Sequence, residues 1–449
     1  MHHPADTIAA LATPVGTSAI AVVRASGPAL GGLVGGIFGA VPPPRVAQHA
    51  DYRGVDGGLI DDVLFTYFAG PNSYTGEDTL EISCHGNPFI AQKLLEDLFA
   101  RGCRPAEAGE FTKRAFLNGR LDLSQAEAVM DLIHARSERA LTAANQQLRG
   151  SLGRRMEELI ALLLNGLAQI EAYIDFPEED LPPENRAGLL AQLQRLEDGL
   201  ARLRATGRYG DVLRLGVRTV IIGEPNAGKS SLLNRLLGRE RALVSPEPGT
   251  TRDYLEEPIS IGPHLLRLVD TAGLNETPTS LEKRGIEKTL EQAAGADLFL
   301  WVIDATRPRF SLAESLRARL DRENTLIVLN KSDLRPATLM EPPDFPLIRV
   351  SALTGEGLDE LRMRLVERAD SFRIDVGEEV VAINARHEDA LRRATQSLVE
   401  AKEALRKNEG IELVASNLRD ALACMGEIAG RVDNEKMLDV LFSSFCIGK

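Results

Sequence analysis

Four hundred and forty-nine residues, at roughly 150 per domain, make about three domains. A composition 44% hydrophobic and 26% charged is ordinary for a globular chain and excludes disordered, collagen-like and fibrous classes. With 52 basic against 65 acidic side chains, the net charge of −13 leaves no global basic field for DNA or RNA, so any RNA contact must be local.

Up to about residue 117 the texture is mixed and strand-rich. Ala19–Arg24, Val63–Phe68 and Thr79–Cys84 are short, β-branched or alternating, and bounded by Gly, Pro and Asn. From Leu121 a helical period sets in through Leu123, Ala126, Val129, Met130 and Ile133, and a second run covers Met156 to Ile174. A Pro- and acid-rich break at 176–183 precedes another helical stretch to about Arg204. From Leu215 to Phe372 strands alternate with helices, which predicts a mostly parallel sheet. Helical spacing then resumes over His387–Arg406, Ile411–Ile428 and Glu435–Phe442. Each helical half alone is too small to cover its apolar stripe, so the two are expected to form one bundle with the α/β unit inserted.

Cys84, Cys103, Cys424 and Cys446 lie far apart with no C-x-x-C pair, which argues against a zinc ribbon or a disulfide framework and for a reducing cytoplasm. No run approaches the roughly 20 apolar residues of a membrane span. Asp6 and Pro14 break any signal-peptide pattern, and Gly448-Lys449 fits a prenylation box poorly. A cytoplasmic protein without membrane attachment is expected.

The sharpest motif is Gly223-Glu224-Pro225-Asn226-Ala227-Gly228-Lys229-Ser230, a complete G-x-x-x-x-G-K-S/T between the strand Val217–Ile222 and a helix from Ser231. Its glycines let backbone N–H groups close around phosphate at a helix N-terminus. Lys229 would reach the β- and γ-phosphates, and the Ser230 hydroxyl would ligate Mg²⁺. Asp270-Thr271-Ala272-Gly273 ends the strand Leu265–Val269, where a carboxylate can hold Mg²⁺ through water and Gly273 can meet the γ-phosphate. Asn330-Lys331-Ser332-Asp333 ends the strand Thr325–Leu329. A carboxylate at Asp333 accepts from guanine N1–H and the 2-amino group, a donor pair adenine does not have. Ser351-Ala352-Leu353 offers a backbone contact to the guanine oxygen, and Gly249-Thr250-Thr251 places a hydroxyl at Thr251 for the Mg²⁺ shell. Alone, N-K-x-D is a weak tetrapeptide. In series with the others, at strand ends, it is strong.

Leu274 stands where Ras-like enzymes keep a water-orienting glutamine, and no arginine finger is evident in cis. Asn226 can instead offer a side-chain carbonyl to a monovalent cation beside the phosphates, with backbone carbonyls from the Ser245–Thr250 loop completing the cage.

The P-loop with its following Ser231-Leu232-Leu233-Asn234, the Pro248-Gly249-Thr250-Thr251-Arg252-Asp253 loop and Asp270-Thr271-Ala272-Gly273-Leu274 resemble the Era-like GTPases. Pro71-Asn72-Ser73-Tyr74-Thr75-Gly76-Glu77-Asp78, Gly109-Glu110-Phe111-Thr112 through Asn118, and the terminal Phe445-Cys446-Ile447-Gly448-Lys449 narrow the likeness. From end to end the chain resembles the MnmE (TrmE) family of tRNA modification GTPases.

That resemblance implies α/β plus α architecture. It comprises an α+β tetrahydrofolate-binding and dimerisation domain (1–118), a discontinuous helical bundle (119–214 and 377–449) and an inserted P-loop GTPase domain (215–376). It implies a homodimer, and a complex with MnmG (GidA), which carries FAD. Together these would add a carboxymethylaminomethyl or aminomethyl group to C5 of wobble uridine 34 of tRNA, with carbon from 5,10-methylene- or 5-formyl-tetrahydrofolate. GTP contacts would fall on Asn226 to Ser231 (including Ala227 and Gly228), on Ser245, Pro246, Glu247, Pro248, Gly249, Thr250 and Thr251, and on the later motifs. K⁺ contacts would fall on Asn226, Ser245, Glu247 and Thr250, and Mg²⁺ on Ser230 and Thr251. Glu282 would be the water-activating glutamate. Folate contacts would fall on Arg24, Glu81, Arg120 and Lys449, with Arg120 where lysine is common. Cys446 would be a reactive thiolate eased by Lys449. An Era-like RNA-binding assembly factor is the alternative, but a basic appendage after the nucleotide domain would be needed and the tail carries Glu378, Glu379, Glu388, Asp389 and Glu400. A structural or signalling GTPase fits the N-terminal and C-terminal motifs less well.

Overall fold

Alternation along the N-terminal strands decides which face of the first sheet is buried. In the computed structural model, which describes residues 6–28, 30–175, 186–240, 256–270, 294–307, 312, 314–334, 345–373, 381–407, 409–430, 438, 441–443 and 445–448, this segment holds β1 (Ile8–Leu11), β2 (Ile20–Ser26), α1 (Leu30–Phe38), β3 (Gln48–Arg53), β4 (Leu59–Phe68), β5 (Thr79–His85), α2 (Pro88–Ala100), β6 (Arg104–Pro105) and α3 (Glu110–Leu117). The sheet order is β3-β4-β5-β2-β1-β6, antiparallel except for the β1–β6 pair. Val63, Phe65 and Tyr67 of β4 point inward to join Val23, Leu80 and Ile82, and α1 and α2 cover them with Leu30, Val34, Leu94 and Leu98. Asn87 caps α2 by accepting the Phe89 N–H at 2.9 Å, with Pro88 at the first helical position.

The helices α4 (Leu123–His134), α5 (Glu138–Leu148), α6 (Ser151–Asp175), α7 (Arg186–Ala205) and α8 (Gly207–Leu215) follow. Then come β7 (Val217–Ile222), α9 (Lys229–Glu240), β8 (Glu256–Ile261), β9 (His264–Asp270), β10 (Leu298–Asp304), α10 (Glu314–Arg317), β11 (Thr325–Asn330), β12 (Leu347–Arg349) and α11 (Leu358–Asp370). The last long helices are α12 (Ala385–Lys407) and α13 (Ile411–Ala429). Strand order in the second sheet is β12-β11-β10-β7-β9-β8, parallel except for the β8–β9 hairpin. Its central strands are apolar throughout because both faces are covered. Leu300, Val302 and Ile221 meet α9 and α11 through Leu232, Leu236, Leu361 and Leu365, while Phe299, Trp301 and Ile222 belong to a second cluster with Leu316 and Leu329.

The helical segments on either side of this α/β unit do pack together. Leu193, Leu196, Leu200 and Leu203 of α7 and Leu391, Ala394, Leu398 and Leu405 of α12 are buried at helical spacing on two helices in extensive contact. Lys402, nearly buried, donates to Gln194 and pairs with Glu197, each at 2.5 Å. Gly199 lets α6 close on α7, since a Cβ there would lie 2.6 Å from Leu159 Cδ2.

By contacts the chain forms two compact units, Met1–Met130 with Gly426–Lys449, and Asp131–Met425. The final residues thus group with the N-terminal sheet, whereas the change of texture placed them with the helical tail. Phe442 and Phe445 bury against Leu123 and Ala126, and that apolar contact decides their place. Of the helix expected over 435–442, only Leu438, Leu441 and Phe442 are described. No helix among the described residues is long and apolar enough to cross a membrane.

Candidate functional site

The P-loop leaves β7 at its C-terminal end, beside β10, at the crevice where the sheet's connections diverge. Its glycines are required by space. A Cβ at Gly223 would meet Val302 O at 2.1 Å, and one at Gly228 would meet Asn330 Nδ2 at 2.1 Å. Asn226 takes φ 64° and is exposed, while Ala227 is buried. Lys229 is only 4% exposed, and its Nζ donates to Gly223 O and Glu224 O at 2.9 Å each. The amine is therefore curled under the loop, where a phosphate oxygen can replace a carbonyl as acceptor. Ser230 and Ser231 open α9 on its exposed side, so the helix N-terminus adds its partial positive charge.

Asn330 ties three motifs into one frame. Only 2% exposed, it donates from Nδ2 to Ala227 O at 2.9 Å and accepts the Ala352 N–H at 3.0 Å. Asp333 Oδ1 accepts from the Ser351 hydroxyl at 2.5 Å, and that hydroxyl accepts the Thr354 N–H at 3.1 Å. Leu353 stands 80% exposed at the rim. Lys331, at φ 65°, donates from Nζ to Asp304 Oδ2 at 2.6 Å. Burial works to raise the Asp304 carboxyl, but the Lys331 ammonium and the Thr306 donors hold it below the ordinary value. Asp304 and Arg307 share a cavity of about 240 Å³ with Glu224, Asn226 and Ala227. Neither residue was singled out in the sequence. β9 ends at Asp270 as expected. Ser245, Pro246, Glu247, Pro248, Gly249, Thr250, Thr251, Thr271, Ala272, Gly273, Glu282 and Lys449 lie outside the described residues.

A second constellation sits on the first sheet. Arg24 and Glu81 are register partners on β2 and β5, and Glu81 Oε1 accepts Arg24 Nε at 3.0 Å and Nη2 at 2.7 Å. The guanidinium lies 5.8 Å from the Tyr74 ring centre and 5.7 Å from that of Phe111. Its Nη1 donates to Gly448 O at 3.2 Å. The chain end is seated there by an Ala108–Ile447 bridge and by the Gly109 N–H donating to Cys446 O at 3.3 Å. Gly448 needs to be glycine: its φ is 95°, and a Cβ would lie 2.3 Å from Leu11 O. Cys446 is exposed. Arg120 is exposed and runs past Gly76 in the same 71–78 loop that carries Tyr74. Behind this loop stands a charge network that the sequence reading missed. Glu110 accepts from Arg104 at 2.7 and 3.0 Å and from Arg114 at 3.0 Å, and Arg114 reaches Glu77 at 3.0 Å. The i,i+4 spacing of Glu110 and Arg114 was its only sequence signal.

A P-loop on a parallel sheet, an N-K-x-D motif at the end of the strand Thr325–Asn330 and an S-A-L loop clamped to it define a guanine-nucleotide hydrolase. The family described as MnmE helical domain matches residues 123–446, and that described as GTP-binding protein TrmE N-terminus matches residues 7–120. The tRNA modification GTPase MnmE of Opitutus terrae is 58% identical over 447 residues, covering 99% of each chain. Its counterpart in Akkermansia muciniphila is 46% identical over 457 residues and covers 100% of each, and that of Geobacter sulfurreducens is 41% identical over 453 residues and covers 99% of each. The chain belongs to the MnmE (TrmE) family.

Proposed function

We propose that this chain is a K⁺-stimulated, Mg²⁺-dependent GTPase that takes part in tRNA modification. It works as a homodimer in the cytoplasm, in complex with the FAD-bearing MnmG (GidA). The complex adds a carboxymethylaminomethyl or aminomethyl group to C5 of wobble uridine 34. Full-length identity to MnmE relatives supports the reading of tRNA modification over that of an assembly factor. The observation that carries it furthest into this chain is the seating of the penultimate Gly448 on Arg24. That contact supports a role for the terminal motif beside Arg24 and Glu81, the pair we read as folate-binding.

In the nucleotide site, Lys229 and the amides from Asn226 to Ser231 hold the phosphates, and Asp333, set by Ser351, reads the base. Among the described residues, the exposed Ser230 and the exposed, left-handed Asn226 are compatible with the two cations. Ser230 and Thr251 would hold Mg²⁺, and Asn226 with Ser245, Glu247 and Thr250 would hold K⁺. Cations held by these residues would offset charge that builds on the transferring phosphoryl group. Glu282 orients the attacking water, a task Leu274 cannot perform. In the N-terminal unit, the Arg24–Glu81 pair beside Tyr74 and Phe111 fits the polar edge and flat face of a pterin. Arg120 and Lys449 would contribute cations there, and the Cys446 thiol, exposed, would be the reactive group. Nucleoside analysis of tRNA from cells lacking this chain tests the reading. Loss of the C5 substituent at wobble uridine is expected, and an unchanged nucleoside profile would overturn it.

A further inference from the structure

Asp304 closes β10 with its two carboxylate oxygens committed to different tasks. Oδ1 accepts the Thr306 N–H at 2.9 Å and the Thr306 hydroxyl at 2.7 Å, a turn that fixes the direction of the group. Oδ2 is left to face the neighbouring strand, where it accepts Lys331 Nζ at 2.6 Å. The backbone supports this aim. Asp304 is the register partner of Asn330, and the Ala305 N–H donates to Asn330 O at 2.9 Å, so Lys331 emerges one residue beyond a fixed point. Lys331 itself turns at φ 65°, a conformation that costs energy for a residue with a Cβ. The same aspartate borders the cavity that Asn226 and Ala227 line.

We propose that Asp304 is a positioning residue for guanine nucleotide binding: it anchors the Lys331 ammonium, so that the lysine stem is already extended along the base site when nucleotide arrives. The proposal rests on Lys331 contacting the nucleotide. A free lysine side chain must give up rotamer freedom on binding, and an anchored one has given it up beforehand. The anchor also neutralises a charge that would otherwise favour water over the flat face of a base.

The experiment is a double-mutant cycle on the full chain, reading affinity for fluorescently labelled GDP and the melting temperature of the nucleotide-free protein. Asp304→Ala is expected to weaken GDP binding about tenfold, the scale of one charge-assisted hydrogen bond. Lys331→Ala should weaken it at least as much, and the double variant no further than Lys331→Ala alone. Asp304→Glu should recover part of the loss. Should Asp304→Ala fold poorly, Asp304→Asn and Thr306→Val keep the shape of the turn and should show smaller losses in the same direction. Wild-type affinity in Asp304→Ala, or losses that add in full, would overturn the proposal by making Asp304 a structural group. Wild-type affinity in Lys331→Ala would overturn it differently, by removing the lysine from the site.

Discussion

Asp333 is set before any base arrives. Ser351, fully buried, donates to Oδ1, so one carboxylate oxygen is already engaged and, on the proposed reading, the other is left for the base. A serine hydroxyl can donate to an amide carbonyl as readily as to a carboxylate. In Asp333→Asn the Ser351 contact therefore survives while the free edge changes from acceptor to donor. Affinity for GTP should fall, and xanthosine triphosphate should compete about tenfold better relative to GTP, since its 2-oxo group accepts where guanine donates. An unchanged ratio in competition with labelled GTP would show that Asp333 does not face the base. The placement of this motif at a strand end was legible in the sequence because the pattern is local: four residues after β11 carry it. Asp304 was not legible, because its partner lies on another strand and only the register of β10 on β11 brings them together.

At the scale of elements, α3 joins a buried apolar face, Phe111 and Ala115, to a network of charges. Gly109 begins it at φ 65° without a side-chain cap, and Glu110 in the first turn accepts from Arg104, from Arg114 and from the Glu107 N–H. Burial alone would raise the Glu110 carboxyl; the two guanidinium groups overcome it and depress the value to about 2. A value lowered on folding means stability that is complete above the ordinary carboxylate range and lost as pH falls from about 4.5 toward about 2. Glu110→Gln leaves two guanidinium groups facing a neutral amide, which should cost on the order of 3 kcal/mol at neutral pH. Hydrogen exchange of β2 and β5 amides, followed from pH 6 to pH 3, should show the gap between wild type and variant narrowing. A gap constant across that range would remove Glu110 as the titrating group. The i,i+4 pair was visible in the chain, but Arg104 and Glu77 join only through tertiary structure, so the network was not.

For the whole molecule, the inserted position of the α/β unit was readable from the change of period on both sides, because bundle helices and buried strands obey different repeats. What the periods could not give is the joint by which the insert is held within Asp131–Met425. The β8–β9 turn docks there: the Arg139 N–H of α5 donates to Pro263 O at 3.2 Å. Asp370, the last residue of α11, accepts from Arg139 at 3.1 Å and from His264 Nε2 at 3.0 Å. Phe372 continues the contact under the Arg208 guanidinium, 4.8 Å from the ring centre. His264 is almost wholly buried, and that burial lowers its value, with nearby Arg139 adding to the effect and Asp370 opposing it without reversing it. A histidine lowered on folding favours the neutral ring, so the joint is complete above about pH 6.5 and weakens as pH falls through the lower folded value. Hydrogen exchange in the β8–β9 turn, corrected for intrinsic rates, should therefore quicken between pH 7.5 and pH 5.5. His264→Gln keeps a donor for Asp370 but cannot gain a proton, and it should flatten that dependence while leaving protection at pH 7.5 nearly as it was. If the variant shows the same dependence as wild type, the titrating group is not His264, and the pH sensitivity of this hairpin arises elsewhere in the unit.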